Sequence, residues 1–400
     1  MPRNIVYVPG SSRKVSQLTG EFDRALGPGR LAPNQTETRW GLRGTDLGAS
    51  FEHKGRCYFL FGDTHPFGPN NDFRPLDGDA IAYATDTQPD AASGGVRLHF
   101  VTAPDGAYLS PRAPDLSTGG FEVPTGGFSD RGRMYVFYTT DARIVPGKGA
   151  VMNCSVLLRS DDDGRTFQNL YTVSQSKIIY VAPGIVDNSA WPGLPEKTGR
   201  GLLLWSAGTE YRRGDPYLAH LPLARVEDRS ALRYFAGTSA KTKRPHWSDR
   251  EADAAPLFAH PCVGELCVTW NPFLRQWLML YNCDERPGPR GINFRVSDTP
   301  WGPWSPTAVL FHPRTDNGYG RFIHAPGPTR DALHDPGREN DWGGEYGPYV
   351  IERFTKGDAA RGRTTIFYTL STWNPYNVVL MTATLEARPG KPPSAIIFPK

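Results

Sequence analysis

Hydrophobic residues along this chain come in short runs of about four to eight, many alternating with polar ones and bounded by Gly, Pro, Asn or Asp. That period predicts β-strands, and no long stretch has helical spacing. The clearest unit is 44–64, with Phe51 and Tyr58 on either side of Lys54-Gly55. It predicts two strands joined by a two-residue turn, in which facing residues sum to a constant. His53 then faces Arg56, Phe51 faces Tyr58, and Asp46 faces Asp63. Opposed side chains share a sheet face with Cβ atoms about 4.5–5.5 Å apart. Two carboxylates that close raise one another's proton affinity, a cost a chain carries where a site uses it.

The same hairpin returns. Phe51 to Tyr58 aligns with Phe128 to Tyr135, sharing Phe, a basic residue, Gly-Arg and Tyr at equal offsets. Aromatic-rich strands follow at 202–206, 277–281 and 365–369, roughly 70–90 residues apart, a workable blade period. Each is followed by a short strand (80–84, 155–159, 217–220, 292–296, 378–381) and preceded by an inner one beginning near Asp46, Glu122, Pro183, Glu265 or Glu345. The pattern predicts an all-β, five-bladed β-propeller with blades near 42–115, 121–175, 182–240, 260–312 and 343–390. A β-sandwich with chance similarity is the competing architecture. Residues 1–40, polar and rich in Gly, Pro and Arg, form an N-terminal extension that wraps or closes something, leaving 41–400 as one catalytic propeller domain. Ser160 to Phe167 fits the Asp-box pattern S-x-D-x-G-x-T-[WF], and Ser297 to Ser305 occupies the equivalent place in the fourth blade. Both are turn signals, so Asp161, Asp162 and Asp163 are poor catalytic candidates.

Composition narrows the function. A chain of 400 residues buries enough core to need no disulfide. The net charge of +4 is small and its basic residues are scattered, which argues against nucleic acid as a partner. No run of about 18 apolar residues exists, and Met1 to Leu18 is too polar for a signal peptide. Of five cysteines, Cys57, Cys154 and Cys283 read as buried thiols in strands. Cys262 and Cys267 are held apart if their segment is a strand, and no adjacent His completes a metal set. Nucleotide-loop, zinc-protease and nucleophile-elbow motifs are missing. No cofactor is expected; channel-facing carboxylates leave room for a structural metal ion without naming its ligands.

In a propeller the inner strands line a channel, and a cleft forms at one mouth. Asp46 begins an inner strand, and antiparallel pairing returns Asp63, Thr64 and His65 to the same mouth. Starts of the other inner strands add Glu122, Asp187, Glu265 and Glu345; ends of second strands add Asp141, Glu210, Asp284, Trp373 and Asn374. Glu122 and Glu265 read as structural. Tyr346 lies among glycines that admit close backbone approach. Aromatic planes, polar groups and paired carboxylates are what sugar recognition and glycosidic cleavage require. Asp46 and Asp63 are therefore the candidate catalytic pair; His65, Glu210, Glu345, Tyr346, Trp373 and Asn374 are candidate substrate contacts. The second blade has Val123 and Thr140 where the first has Asp46 and Asp63, so the scaffold does not require aspartates there. Each aspartate also has a plain alternative as turn chemistry.

The segments 44–48, 61–64, 160–167, 344–349 and 368–373 together resemble a bacterial family catalogued as domain of unknown function 4185, associated with glycoside hydrolase family 183. The resemblance spans roughly 40–390 and implies a five-bladed propeller that cuts mycobacterial cell-wall D-arabinan internally, with a catalytic pair here carried only by Asp46 and Asp63. A chain without a leader departs from what action on a cell wall needs, unless a leader has been removed. The expected partner is a polysaccharide substrate, with no nucleic acid or membrane; the oligomeric state stays open. Alternatives are an exo-acting glycosidase on a related furanoside, its cleft blocked by 1–40 or 311–342, and a non-catalytic carbohydrate-binding propeller.

Overall fold

A computed structural model describes residues 3–66, 78–89, 95–110, 113, 116, 121–210, 212–283, 291–325, 333 and 338–389. Five antiparallel sheets follow one another along the chain. The first has strands Leu42–His53, Arg56–Pro66, Ala80–Ala84 and His99–Phe100; the second runs from Val123 to Ser174, the third from Tyr180 to Ser248, the fourth from Leu266 to Phe311. The fifth combines Glu345–Val350, Lys356–Asp358, Arg363–Thr372 and Asn377–Pro389 with Arg3–Tyr7 and Arg13–Gln17 from the N-terminus. This is the expected five-bladed β-propeller. Both N-terminal strands pair with the last strand, so the two chain ends build one blade. Among the described residues no helix is long and apolar enough to cross a membrane.

The second strand of each blade was the easiest to read because it is covered on both faces. Tyr58, Phe59 and Leu60, like Tyr135, Val136 and Phe137, are at most 2% exposed in succession. Alternate side chains point to opposite faces, so burial of a whole run requires a neighbouring blade on each side. Phe51, Tyr58 and Leu60 of the first blade pack in one cluster with Met134, Val136 and Tyr138 of the second. Each such side chain contributes about 1.5–3 kcal/mol through burial.

The hairpin turns form as the sequence predicts. Lys54 and Gly55 both have positive φ, 46° and 78°, as do Arg131 and Gly132, 48° and 76°, the left-handed pair of a two-residue hairpin loop. In the Asp box, Asp162 accepts from the amide and hydroxyl of Thr166, and Ser160 Oγ accepts from the Gly164 amide. It is a turn, with no chemistry of its own.

Three expectations need correction. Asp187 ends the inner strand Tyr180–Asp187 instead of starting one, so it lies at the far mouth, where it caps a short 3-10 turn through the Ser189 amide. Cys283 is not a free thiol: it forms a disulfide with Cys262. The pairing is invisible in sequence spacing because it joins the entry to one strand with the exit of the next; the Gly264 amide donating to the Asn282 carbonyl sets them side by side. His260 also reaches this point, with Nε2 3.2 Å from Cys262 Sγ, so a His does stand beside the cysteines. With the sulfurs bonded to each other, the trio holds no thiolate pair.

Candidate active site

The first hairpin keeps its predicted register from His53↔Arg56 to Ala49↔Leu60. It then slips by one, and Asp46 pairs with Gly62 instead of Asp63. The cause is a bulge at Leu47-Gly48, with φ of 63° and 95°. The bulged backbone is held from the fifth blade: the Leu47 amide donates to Ser371 Oγ at 2.7 Å, and Thr369 Oγ1 donates to the Gly48 carbonyl at 3.1 Å. Asp63 is itself left-handed, with φ 39°, a conformation unusual outside glycine and frequent where function re-aims a side chain. The Thr45 and Thr64 hydroxyls meet at 2.7 Å and tie the two strands beside the aspartates. Direct opposition therefore does not hold. Both aspartates remain at one mouth on adjacent strands.

Their surroundings differ. Asp46 is buried, Asp63 half-buried. Tyr346 Oη donates to Asp46 Oδ2 at 3.0 Å. Burial pushes the Asp46 carboxyl up to about 6; hydrogen bonds from Tyr376 and Tyr346 oppose this, Glu265 adds to it and Arg212 subtracts. Arg212 clasps the fully buried Glu265, with Nη2 2.7 Å and Nε 3.1 Å from its two oxygens, and its guanidinium stacks on Tyr346 4.7 Å from the ring centre. Glu265 thus acts on the site electrostatically as well as holding Arg212 in place.

The other predicted contacts divide. His65 packs edge-on against Tyr376 at 5.2 Å, and Trp373 does so from another side at 5.5 Å, with Arg338 over its ring at 4.2 Å. These rings form an aromatic wall next to Asp46. Tyr346 is the hydrogen-bond donor already described. Glu345 is 2% exposed at the start of its strand, opposite Thr372. Asn374 is fully buried, and its amide donates to the carbonyls of Arg338 and Asp341, fastening the loop behind Trp373. Glu210 lies beyond the end of its strand, half-exposed and ion-paired with Lys148 at 3.2 Å. Asp141 is paired with Arg143 on an extension of the second blade. Asp284 lies outside the described residues.

Sequence reasoning missed Asp79, Arg212 and Tyr138. Asp79, 4% exposed, directly precedes the third strand Ala80–Ala84 and interacts with Glu122, Asp63 and Asp46. A signal existed: Gly62-Asp63 and Gly78-Asp79 are the same dipeptide at the same mouth, and a third strand starts where the second ends. Tyr376 explains Gly44, where a Cβ would lie 2.9 Å from the Tyr376 carbonyl oxygen.

Gly62 is the tightest point. A Cβ there would stand 2.9 Å from Asp46 Oδ1, 2.8 Å from Leu47 Cδ1 and 2.9 Å from Val123 Cγ1. Gly62→Ala should therefore displace the Asp46 carboxyl and cost about 1–3 kcal/mol through overpacking. Thermal unfolding checks the second effect; unchanged stability would show that the neighbours yield freely.

These features define a five-bladed β-propeller with a buried carboxylate cluster, flanked by tyrosines, at one mouth. The chain belongs to the family described as Domain of unknown function (DUF4185), which matches residues 31–382. No curated protein matches the sequence. Among similar solved structures, a hydrolase candidate from Bacteroides ovatus is 12% identical, with 87% of each chain covered and a TM-score of 0.54. The catalytic domain of a glycoside hydrolase family 62 α-L-arabinofuranosidase from Coprinopsis cinerea is 13% identical over 94% of this chain and 98% of that one, with a TM-score of 0.45. An endo-1,5-α-L-arabinanase from Thermotoga petrophila is 12% identical over 87% and 75%, with a TM-score of 0.44. The first shares the fold.

Proposed function

We propose that this protein is a glycoside hydrolase that cleaves α-linked D-arabinofuranose polymer of the mycobacterial type, in endo fashion, with Asp46 and Asp63 as its carboxyl pair. The observation that carries the reading is the unequal setting of the two aspartates. Asp46 is buried, with its pKa raised to about 6, and can hold a proton for the leaving oxygen near neutral pH. Asp63, on the next strand and half-buried, serves as nucleophile or base. The glycan itself is proposed from the resemblance of 44–48 and 61–64 to arabinan-cleaving propellers. His65, Tyr346 and Trp373 line the sugar's path in this reading, and Glu345 borders it.

Incubation with mycobacterial arabinogalactan and lipoarabinomannan, with products sized by chromatography, tests the proposal. A ladder of oligosaccharides is expected. A single small product would replace endo with exo action, and intact polymer would remove arabinan as the substrate.

A further inference from the structure

Asp79 is the carboxyl that the pair assignment leaves without a task. Phe61 pairs with Ala80, so Asp79 stands one step further, beside Gly62, and the Thr64 amide donates to the Gly78 carbonyl at 2.7 Å. Gly62 has no Cβ, and Asp46 Oδ1 reaches into the space where one would stand. Asp79 is faced by Asp46 from the first strand, Asp63 from the second, Glu122 from the entry to the second blade and Tyr138 from that blade's second strand. Its Oδ1 is buried and accepts no hydrogen bond among the described residues.

Four carboxyls gathered in a largely buried space do not all ionise; they titrate as a group, and protons stay where charge is least compensated. Asp46 has Tyr346, Tyr376 and Arg212 to stabilise its anion. Asp63 keeps partial contact with solvent. Asp79 has neither, apart from the Tyr138 hydroxyl. Burial first, then the charges of Glu122, Asp63 and Asp46, holds Asp79 well above the usual carboxylate range.

We propose that Asp79 is a positioning residue that carries the cluster's shared proton and thereby keeps Asp63 ionised at neutral pH. The proposal rests on the reading of Asp46 and Asp63 as the working pair. It removes one negative charge from the cluster where Asp63 has to keep its own.

Infrared spectroscopy at pH 8, where Asp46 is ionised, locates the proton without any substrate. The parent should show the carbonyl band of a protonated carboxylic acid, Asp79→Asn should lack it, and Asp63→Asn should retain it. Carboxyl ¹³C resonances of the parent give the same answer without a substitution. In the kinetic arm, Asn imitates the neutral acid. Asp79→Asn should therefore keep kcat within about tenfold and leave the alkaline limb of the pH profile, set by Asp46, in place, whereas a carboxylate that has to ionise would lose about 10²–10⁴-fold. A band that survives in Asp79→Asn, or loss of activity as deep as in Asp63→Asn, overturns the proposal. A parent that cleaves no arabinan but shows the band overturns the functional reading alone.

Discussion

Asp46→Asn is expected to lower kcat on arabinan by about 10²–10⁴-fold while leaving the protein folded and, at pH 7, more stable than its parent. The loss follows from the role of Asp46 as proton donor: an amide fills the same space and cannot supply the proton. The gain follows from linkage. The carboxyl has a raised folded-state value, about 6 against an ordinary 3.8. Between those values the folded state binds more protons than the unfolded chain, so stability falls as pH rises through that window. At pH 7 the whole penalty is present, up to about 3 kcal/mol, and Asn removes it. Rate measurements and thermal unfolding at pH 4 and pH 7 check both halves. The stability advantage of the variant should be large at pH 7 and small at pH 4. Near-normal rates would remove Asp46 from the chemistry, and an advantage independent of pH would deny its raised proton affinity.

The fold was legible because doubly covered strands leave an unmistakable trace. Tyr58 to Phe61 and Met134 to Tyr138 are continuous apolar runs, and the two Gly-Arg hairpins that carry them turn through left-handed residues as read. The candidate site was legible only as far as strand order reaches. Counting residues around the Lys54-Gly55 turn brought Asp46 and Asp63 to one mouth, yet failed by one step at Gly48. The stabilisation of that bulge comes from Ser371 and Thr369, over 300 positions away. Asp79 required the same antiparallel logic carried one strand further. Arg212 and Glu265 could not have been paired from sequence, since their contact crosses from the third blade's loop to the entry of the fourth. The disulfide escaped for a similar reason: Cys262 and Cys283 are 21 residues apart in sequence but adjacent in the blade.

The Arg212–Glu265 pair yields the largest expected effect on stability. Glu265 has no exposed side-chain surface, while Arg212 is 25% exposed and supplies its countercharge. Arg212→Met keeps much of the apolar stem but takes the countercharge from a buried carboxylate, which should cost about 3–5 kcal/mol. The direction with pH is fixed by the same linkage. Losing the Arg212 cation favours the neutral form of Glu265, so the variant's deficit should grow as pH rises from the ordinary Glu value towards neutrality. Adding Glu265→Gln removes the buried charge itself, and the double variant should recover most of the loss. Urea unfolding of all four proteins at pH 5 and pH 8 measures the cycle. A single variant within about 1 kcal/mol of the parent would mean that the pair behaves as a solvated surface bridge. The recovered double variant also separates two roles of Arg212. Stability returns with the second substitution, but the cation that lowers the Asp46 pKa and stacks on its donor Tyr346 does not. Activity in the double variant should therefore stay depressed while its fold is restored, as befits a pair that holds the blade entry together and also sets the charge around Asp46.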